Sequence, residues 1–313
     1  MATSSENHAQ ENVCRIGTRG SDLALWQAHT IQGKLKELGV ATSIEIIKTR
    51  GDRIDNIPFS ELDGKNFFTK ELEDAQLEGR VDFAVHSLKD LATEMPAGLT
   101  LTAMVGREDP RDVLLADPAA IDQAKVDAGD VLPLKSGAKI GTSAARRQAQ
   151  IRYLRDDLEI VDLRGNVPTR VNRLREGLYD GILLARAGLV RLELDLDGLF
   201  VKPLDAEEFV PAPAQGMLGI QCRQDDVWQE TLTRLDCPEA GRAVAAERDL
   251  LQRLEGGCQL PFGINIQPVE GEWRLETFLS GSGDEPLRLT LEGSDLDALV
   301  AECWEMICEY RGA

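Results

Sequence analysis

The sequence predicts an α/β protein of two similar lobes with a smaller α+β domain after them, and three observations carry that reading. Strand, loop and helix signals alternate over the first hundred residues, the grammar of a parallel α/β sheet. The same grammar returns over residues 110 to 205, where "IGTSAA" at 140 echoes "IGTRGS" at 16. After residue 229 the order changes to one helix, three strands and a closing helix. At 313 residues the chain exceeds what one hydrophobic core ordinarily organises. The expected domains are 1–108 with 208–228, then 109–207, then 229–313.

The elements follow in order. "VCRIGT" is a short strand, "TRGSD" a turn, and Ala28, Ile31, Leu35 and Leu38 recur at helical spacing up to Gly39. "ATSIEIIKTRGD" is a strand ending in a glycine turn, and "FFTKELEDAQLEG" a helix closed by Gly79. "RVDFAVHSLKD" is a buried strand running into polar residues. "GRVDFAVHSLKDL" at 79 resembles "GLYDGILLARAGL" at 177, with Asp82 and Asp180 in the same place, so the two halves read as a reshaped duplication. "EEFVPAPAQGMLGIQCR" brings the chain back to complete the first lobe. "PEAGRAVAAERDLLQRLEGG" is a helix, residues 262 to 293 hold three strands, and "SDLDALVAECWEMICEY" is a capped last helix.

A net charge of -19 opposes binding to nucleic acid or to an anionic membrane and leaves a small molecule as the expected partner. The polar opening "MATSSENHAQEN" has no signal-peptide pattern, and no apolar run is long enough to span a bilayer. Six cysteines without a CxxC pair read as reduced thiols in the cytoplasm. Three histidines without metal-like spacing leave no metal site to expect.

Against that acidic background, Gly141 to Arg191 holds ten Arg, no Lys and six acidic residues. Arg146, Arg147, Arg164 and Arg170 fall where strands end and helices begin, the edge at which open α/β sheets bind ligands. A planar guanidinium grips carboxylate or phosphate with two bonds, so the expected ligand is a modest polyanion. Arg152, Arg155, Arg173 and Arg175 read as solvated helix faces. "HSLKD" places Lys89 and Asp90 at the same edge, either as a surface turn or as an acid/base pair. "GTRGS" lacks the P-loop and GxGxxG spacings, and Ser21 or Asp22 reads first as a helix N-cap. Cys14, Cys222, Cys237, Cys303 and Cys308 read as small buried residues. Cys258, behind Gly256 and Gly257, is open between that role and a thiol kept clear for a bulky adduct.

"IGTRGSDLALWQA", "TRGD", "FTKELE", "DFAVHSLKD", "REDPRD", "IGTSAARRQAQ", "LRGNVPTR", "ILLARAGLVRL", "PAPAQGMLGIQCR" and "LEGGCQLPFG" occur in the order seen in the hydroxymethylbilane synthase (porphobilinogen deaminase) family. The chain resembles that family from about residue 13 onward. The resemblance implies two periplasmic-binding-protein-like lobes flanking a cleft, and a C-terminal domain carrying the cofactor cysteine. It implies a transferase of tetrapyrrole (porphyrin, haem) biosynthesis that joins four porphobilinogen molecules head to tail, with loss of ammonia, on a dipyrromethane cofactor held by a thioether to Cys258.

By the same resemblance Asp90 is the catalytic carboxylate. Lys89, Ser87, Ser143, Arg146, Arg147 and Arg164 are cofactor contacts, and Arg19, Ser21, Arg170 and Arg191 substrate contacts. Departures are Ala144 for a usual serine, Leu91-Ala92 for Val-Pro, and Ala185-Arg186 for a smaller apolar pair, which leaves Arg186 as an extra contact or an outward side chain. Residues 55 to 66 are expected to cover the site, and a monomer is expected from the lack of a repeated apolar surface helix. The competing reading is a two-lobed anion-binding solute or sensor protein without catalysis.

Overall fold

The computed structural model describes residues 13–49, 69–255, 260–281 and 285–312. The expected cover at 55 to 66 and Cys258 itself lie outside them. The first sheet is built from β1 (Cys14–Thr18), β2 (Thr42–Ile46), β3 (Phe83–Ser87), β4 (Leu99–Val105) and β10 (Leu218–Arg223), in the order β2-β1-β3-β10-β4. The second is built from β5 (Asp112–Ala116), β6 (Lys139–Gly141), β7 (Glu159–Val161), β8 (Gly181–Ala185) and β9 (Phe200–Pro203), in the order β7-β6-β8-β5-β9. Strand for strand the two orders are the same. Helices α1 (Asp22–Glu37), α2 (Lys70–Leu77) and α7 (Gln229–Thr233) accompany the first sheet; α3 (Gln123–Asp127), α4 (Ala145–Leu154), α5 (Val167–Arg175) and α6 (Arg186–Leu192) belong to the second lobe. The third sheet, β11 (Phe262–Val269), β12 (Glu272–Leu279) and β13 (Leu287–Gly293), is an antiparallel meander under α8 (Pro238–Arg253) and α9 (Leu296–Arg311).

β1 runs parallel to β2 and β3, but β10 is antiparallel to both β3 and β4, so the first sheet is mixed and not the purely parallel one expected. The cause is connectivity: β10 arrives from the other lobe and slots between β3 and β4. β5 does the reverse in the second sheet, antiparallel to β8 and β9. Two segments, 106–111 and 204–217, therefore cross between the lobes. They touch where Glu108 N–H donates to Gly216 O at 3.0 Å. Gly216 has φ of 88°, and a Cβ there would stand 2.1 Å from the Glu108 carbonyl oxygen, so only glycine lets the crossovers meet.

Each lobe closes its core around an apolar third strand, FAVHS or GILLA. Cys14, Cys222 and Cys303 are buried, whereas Cys237 and Cys308 are only half-buried, because each sits at the rim of a helix and not beneath it. Arg155, expected on a solvated face, follows the last turn of α4 and donates to the carbonyls of Leu132 and Leu134 while pairing with Asp157. Those otherwise unmet carbonyls draw it inward. No helix among the described residues is long and apolar enough to cross a membrane.

Candidate active site

β3 stays buried through His86 and then breaks into a single 3-10 turn, Leu88–Asp90. Leu88 anchors the turn in the core, which lifts Lys89 to a half-buried position and leaves Asp90 exposed at the strand end. Arg19, Ser21, Gln27, His86, Ser87 and Asp90 line one cavity of about 100 Å³. Ser21 Oγ caps α1 by accepting from Ala24 N–H, the N-cap role expected of it. Ser87 Oγ accepts from Gln27 Nε2 at 2.7 Å. The His86 Nε2 lies 3.1 Å from Gln221 Oε1, an atom that only accepts, so Nε2 carries the proton. Burial, with Arg19 adding, pushes the His86 pKa down to about 4, and the ring is neutral.

Across the cleft, the first turn of α4 presents Arg146 and Arg147, both nearly buried. Their common partner is Asp112, the first residue of β5. Arg146 Nη1 lies 2.8 Å and Arg147 Nη2 2.8 Å from its two oxygens. Burial alone would raise the Asp112 pKa, but the two guanidiniums outweigh it and hold the carboxyl well below the usual range. Arg146 also donates to Val210 O and Arg147 to Leu183 O. Gln215, in the second crossover, donates Nε2 to Asp112 Oδ1 at 2.8 Å and accepts from Lys89 Nζ at 3.2 Å. One polar chain thus runs from Lys89 in the first lobe through Gln215 and Asp112 to the paired arginines of the second.

Arg170, on α5, donates Nε to Gly165 O. Its pKa is pushed down to about 10 by burial and by Arg147, with Asp90 pulling the other way. Lys89 is pushed down to about 8 by burial, with Arg147 and Arg146 adding and Asp90 opposing. Cations that depress one another's pKa mark a surplus of positive charge, which a bound anion relieves. Arg164 sits in the turn ahead of α5, where its carbonyl accepts from Arg173. Ser143 Oγ donates to Leu163 O and accepts from Leu163 N–H, both at 3.0 Å, fixing the approach to that turn.

Arg191 and Arg186 stand apart. Arg191 is buried, donates to Gly216 O, and lies 5.4 Å over the Trp26 ring, binding α6 to the crossovers and to α1. Arg186 resolves its open reading as an ion pair with Asp109 at 3.1 Å. Sequence reasoning missed Asp112, Gln215 and Gln27. Asp112 had a signal, a carboxylate opening the otherwise apolar "DVLLA".

The family described as "Porphobilinogen deaminase, dipyromethane cofactor binding domain" matches residues 14–231. The chain is similar to the porphobilinogen deaminase of Trichlorobacter lovleyi, 41% identical over 90% of this chain and 91% of that one. It is similar also to the porphobilinogen deaminases of Pelobacter propionicus, 43% identical over 89% and 87%, and of Nitratiruptor sp., 43% identical over 89% and 87%.

Proposed function

The chain belongs to the porphobilinogen deaminase family, and from that membership we propose how its residues divide the work. It is a transferase that joins porphobilinogen units with release of ammonia, and its cofactor is dipyrromethane. Each pyrrole unit carries an acetate and a propionate, so both cofactor and growing chain are polyanions. The residues fit such a group. Lys89, Arg146, Arg147 and Arg170 share a region in which Asp112 is the one buried carboxylate among the described residues, and the depressed pKa values of Lys89, Arg146 and Arg170 leave anion capacity on this side of the cleft.

Lys89, Ser87, Ser143, Arg146, Arg147 and Arg164 hold the cofactor, with Cys258 as its thioether anchor. When bound, the dipyrromethane supplies the pyrrole carbon onto which substrate is added. Arg19, Ser21 and Arg170 receive the carboxylates of incoming porphobilinogen around the cavity that Asp90 lines. Arg191 serves from behind, holding the crossover on which Gln215 sits. Among the described residues Asp90 is the only carboxylate lining that cavity. Its charge stabilises the cation left when ammonia departs from the aminomethyl carbon of substrate, and it handles the proton lost as the rings join. Neutral His86 beside it adds no competing positive charge.

The observation that carries this reading is the polar chain from Lys89 through Gln215 to Asp112, which ties the Asp90 turn to the arginines. We further read the protein as cytoplasmic, on six cysteines without a pairing pattern, and as a monomer, on the lack of a repeated apolar surface helix. Incubation with porphobilinogen tests the function: one ammonia should appear for every ring consumed. Saturable binding of porphobilinogen without ammonia would favour the two-lobed binder instead.

A further inference from the structure

On the face of α8 that meets the first lobe, Ala240 and Val244 pack with Leu88, Leu91 and Met217, and the next residue of that stripe is Arg248. It is 8% exposed, and among the described residues no carboxylate pairs with it. Its guanidinium instead donates to three backbone carbonyls, Leu88 at 3.2 Å, Leu91 at 3.0 Å and Ala92 at 2.7 Å. Those carbonyls bracket the 3-10 turn that carries Lys89 and Asp90. Burial alone lowers the Arg248 pKa, to about 10, yet the side chain keeps its place against that cost.

We infer that Arg248 is a positioning residue for Asp90: from the third domain it clamps the exit of the Leu88–Asp90 turn and fixes where the carboxylate stands in the cleft. A turn of three residues has a single internal closing bond, here Leu91 N–H to Leu88 O at 3.2 Å, too little to define a side chain's place. Three bonds from one planar fork supply the rest. The neighbouring Glu247 makes the arrangement double. Its carboxylate accepts from Ala214 N–H and Ile266 N–H at 2.7 Å each and pairs with Arg107, so adjacent residues of α8 hold the second crossover and the catalytic turn together. α8 is also the helix whose C-terminal end leads into residues 256–259 and Cys258. The third domain therefore sets the position of the carboxylate, and its sequence also carries the proposed anchor cysteine.

This inference rests on the proposed role of Asp90, and its test separates the two. Arg248→Lys keeps the charge and most of the volume but gathers its donors on a single nitrogen, where the three carbonyls are now divided between Nη1 and Nη2. Expected is a kcat fall of about tenfold to a hundredfold, the scale of a 1 Å misplacement. KM should stay within about threefold, and intact mass should show the cofactor still attached. Arg248→Met should lose at least as much kcat. Wild-type kcat in a folded Arg248→Lys variant would overturn the inference, and so would failure of that variant to fold, which would make Arg248 a purely structural cation. Absence of porphobilinogen turnover in the wild type would instead overturn the reading of the site.

Discussion

In the first lobe Asp82 donates its N–H to Arg15 O at 2.9 Å and accepts Arg15 N–H at 2.7 Å. In the second, Asp180 does the same with Lys139 at 2.9 and 2.7 Å. The register repeats as well: Ile16 faces Phe83 as Ile140 faces Gly181, each one residue beyond its aspartate. At the ends of those matched strands the lobes part company. After β3 the chain makes the short turn bearing Lys89 and Asp90; after β8 the matching residues Ala187 and Gly188 are buried in α6. α1 opens with a capping serine and an aspartate, whereas α4 opens on Ala144 with no side-chain cap and carries two arginines in its first turn. The same scaffold thus presents a carboxylate from one side of the cleft and guanidiniums from the other. Fold fixes where side chains can stand, and chemistry is decided by a few residues at strand ends.

The largest way to break that contrast is to remove the carboxylate. Asp90→Ala should fold normally and lose about 10²- to 10⁴-fold in kcat; near-normal steady-state turnover would take the first lobe's turn out of the chemistry. On the second lobe, Arg147→Ala deletes one of the two guanidinium partners of buried Asp112 and should cost about 2 kcal/mol of stability in denaturant titration. It should also lower the fraction of molecules carrying cofactor, read by intact mass. Unchanged loading would return Arg147 to a structural role.

Smaller effects sharpen the comparison between the lobes themselves. Asp82→Asn loses ion pairs with Arg15 and Arg223, whereas Asp180→Asn loses only charge on one backbone bond. Unfolding free energies from denaturant titration should therefore fall by about 2 kcal/mol for the first and under about 1 kcal/mol for the second. Equal losses would mean that the duplicated clamp is the same device in both lobes. His86 has no counterpart on β8. With a folded pKa near 4 against an ordinary 6.5, the unfolded chain binds more protons between those values, so stability rises with pH across that window and falls on acidification through it. His86→Asn should flatten the pH dependence of the melting temperature between about 4 and 6.5.

Local periodicity made most of the fold legible. Strands β1 to β3, helices α1, α2, α8 and α9, and the matched aspartates are readable because each depends on neighbours close in sequence. What escaped was set by distant partners. Arg146 and Arg147 were recognised as unusual, but their link to Asp112, some 35 residues earlier, is a tertiary fact, and so is Gln215 reaching Asp112 across 103 residues. The antiparallel sense of β10 follows from the crossover and not from its own alternation. The resemblance alone offered Arg191 as a substrate contact; the backbone carbonyl of Gly216 and the Trp26 ring that it meets here are tertiary partners that no local pattern announces. Arg248 did leave a trace, a charge on the apolar stripe of α8 in line with Ala240 and Val244.

The most direct test of the account is the intact mass of the purified protein from a host that makes porphobilinogen, taken beside Cys258→Ala. The wild type should carry one covalent dipyrromethane, and the variant should have the mass of its bare chain. An unmodified wild type, or an adduct that persists without that thiol, would contradict the claim that the third domain anchors a primer facing the Asp90 carboxylate and the arginines of the second lobe.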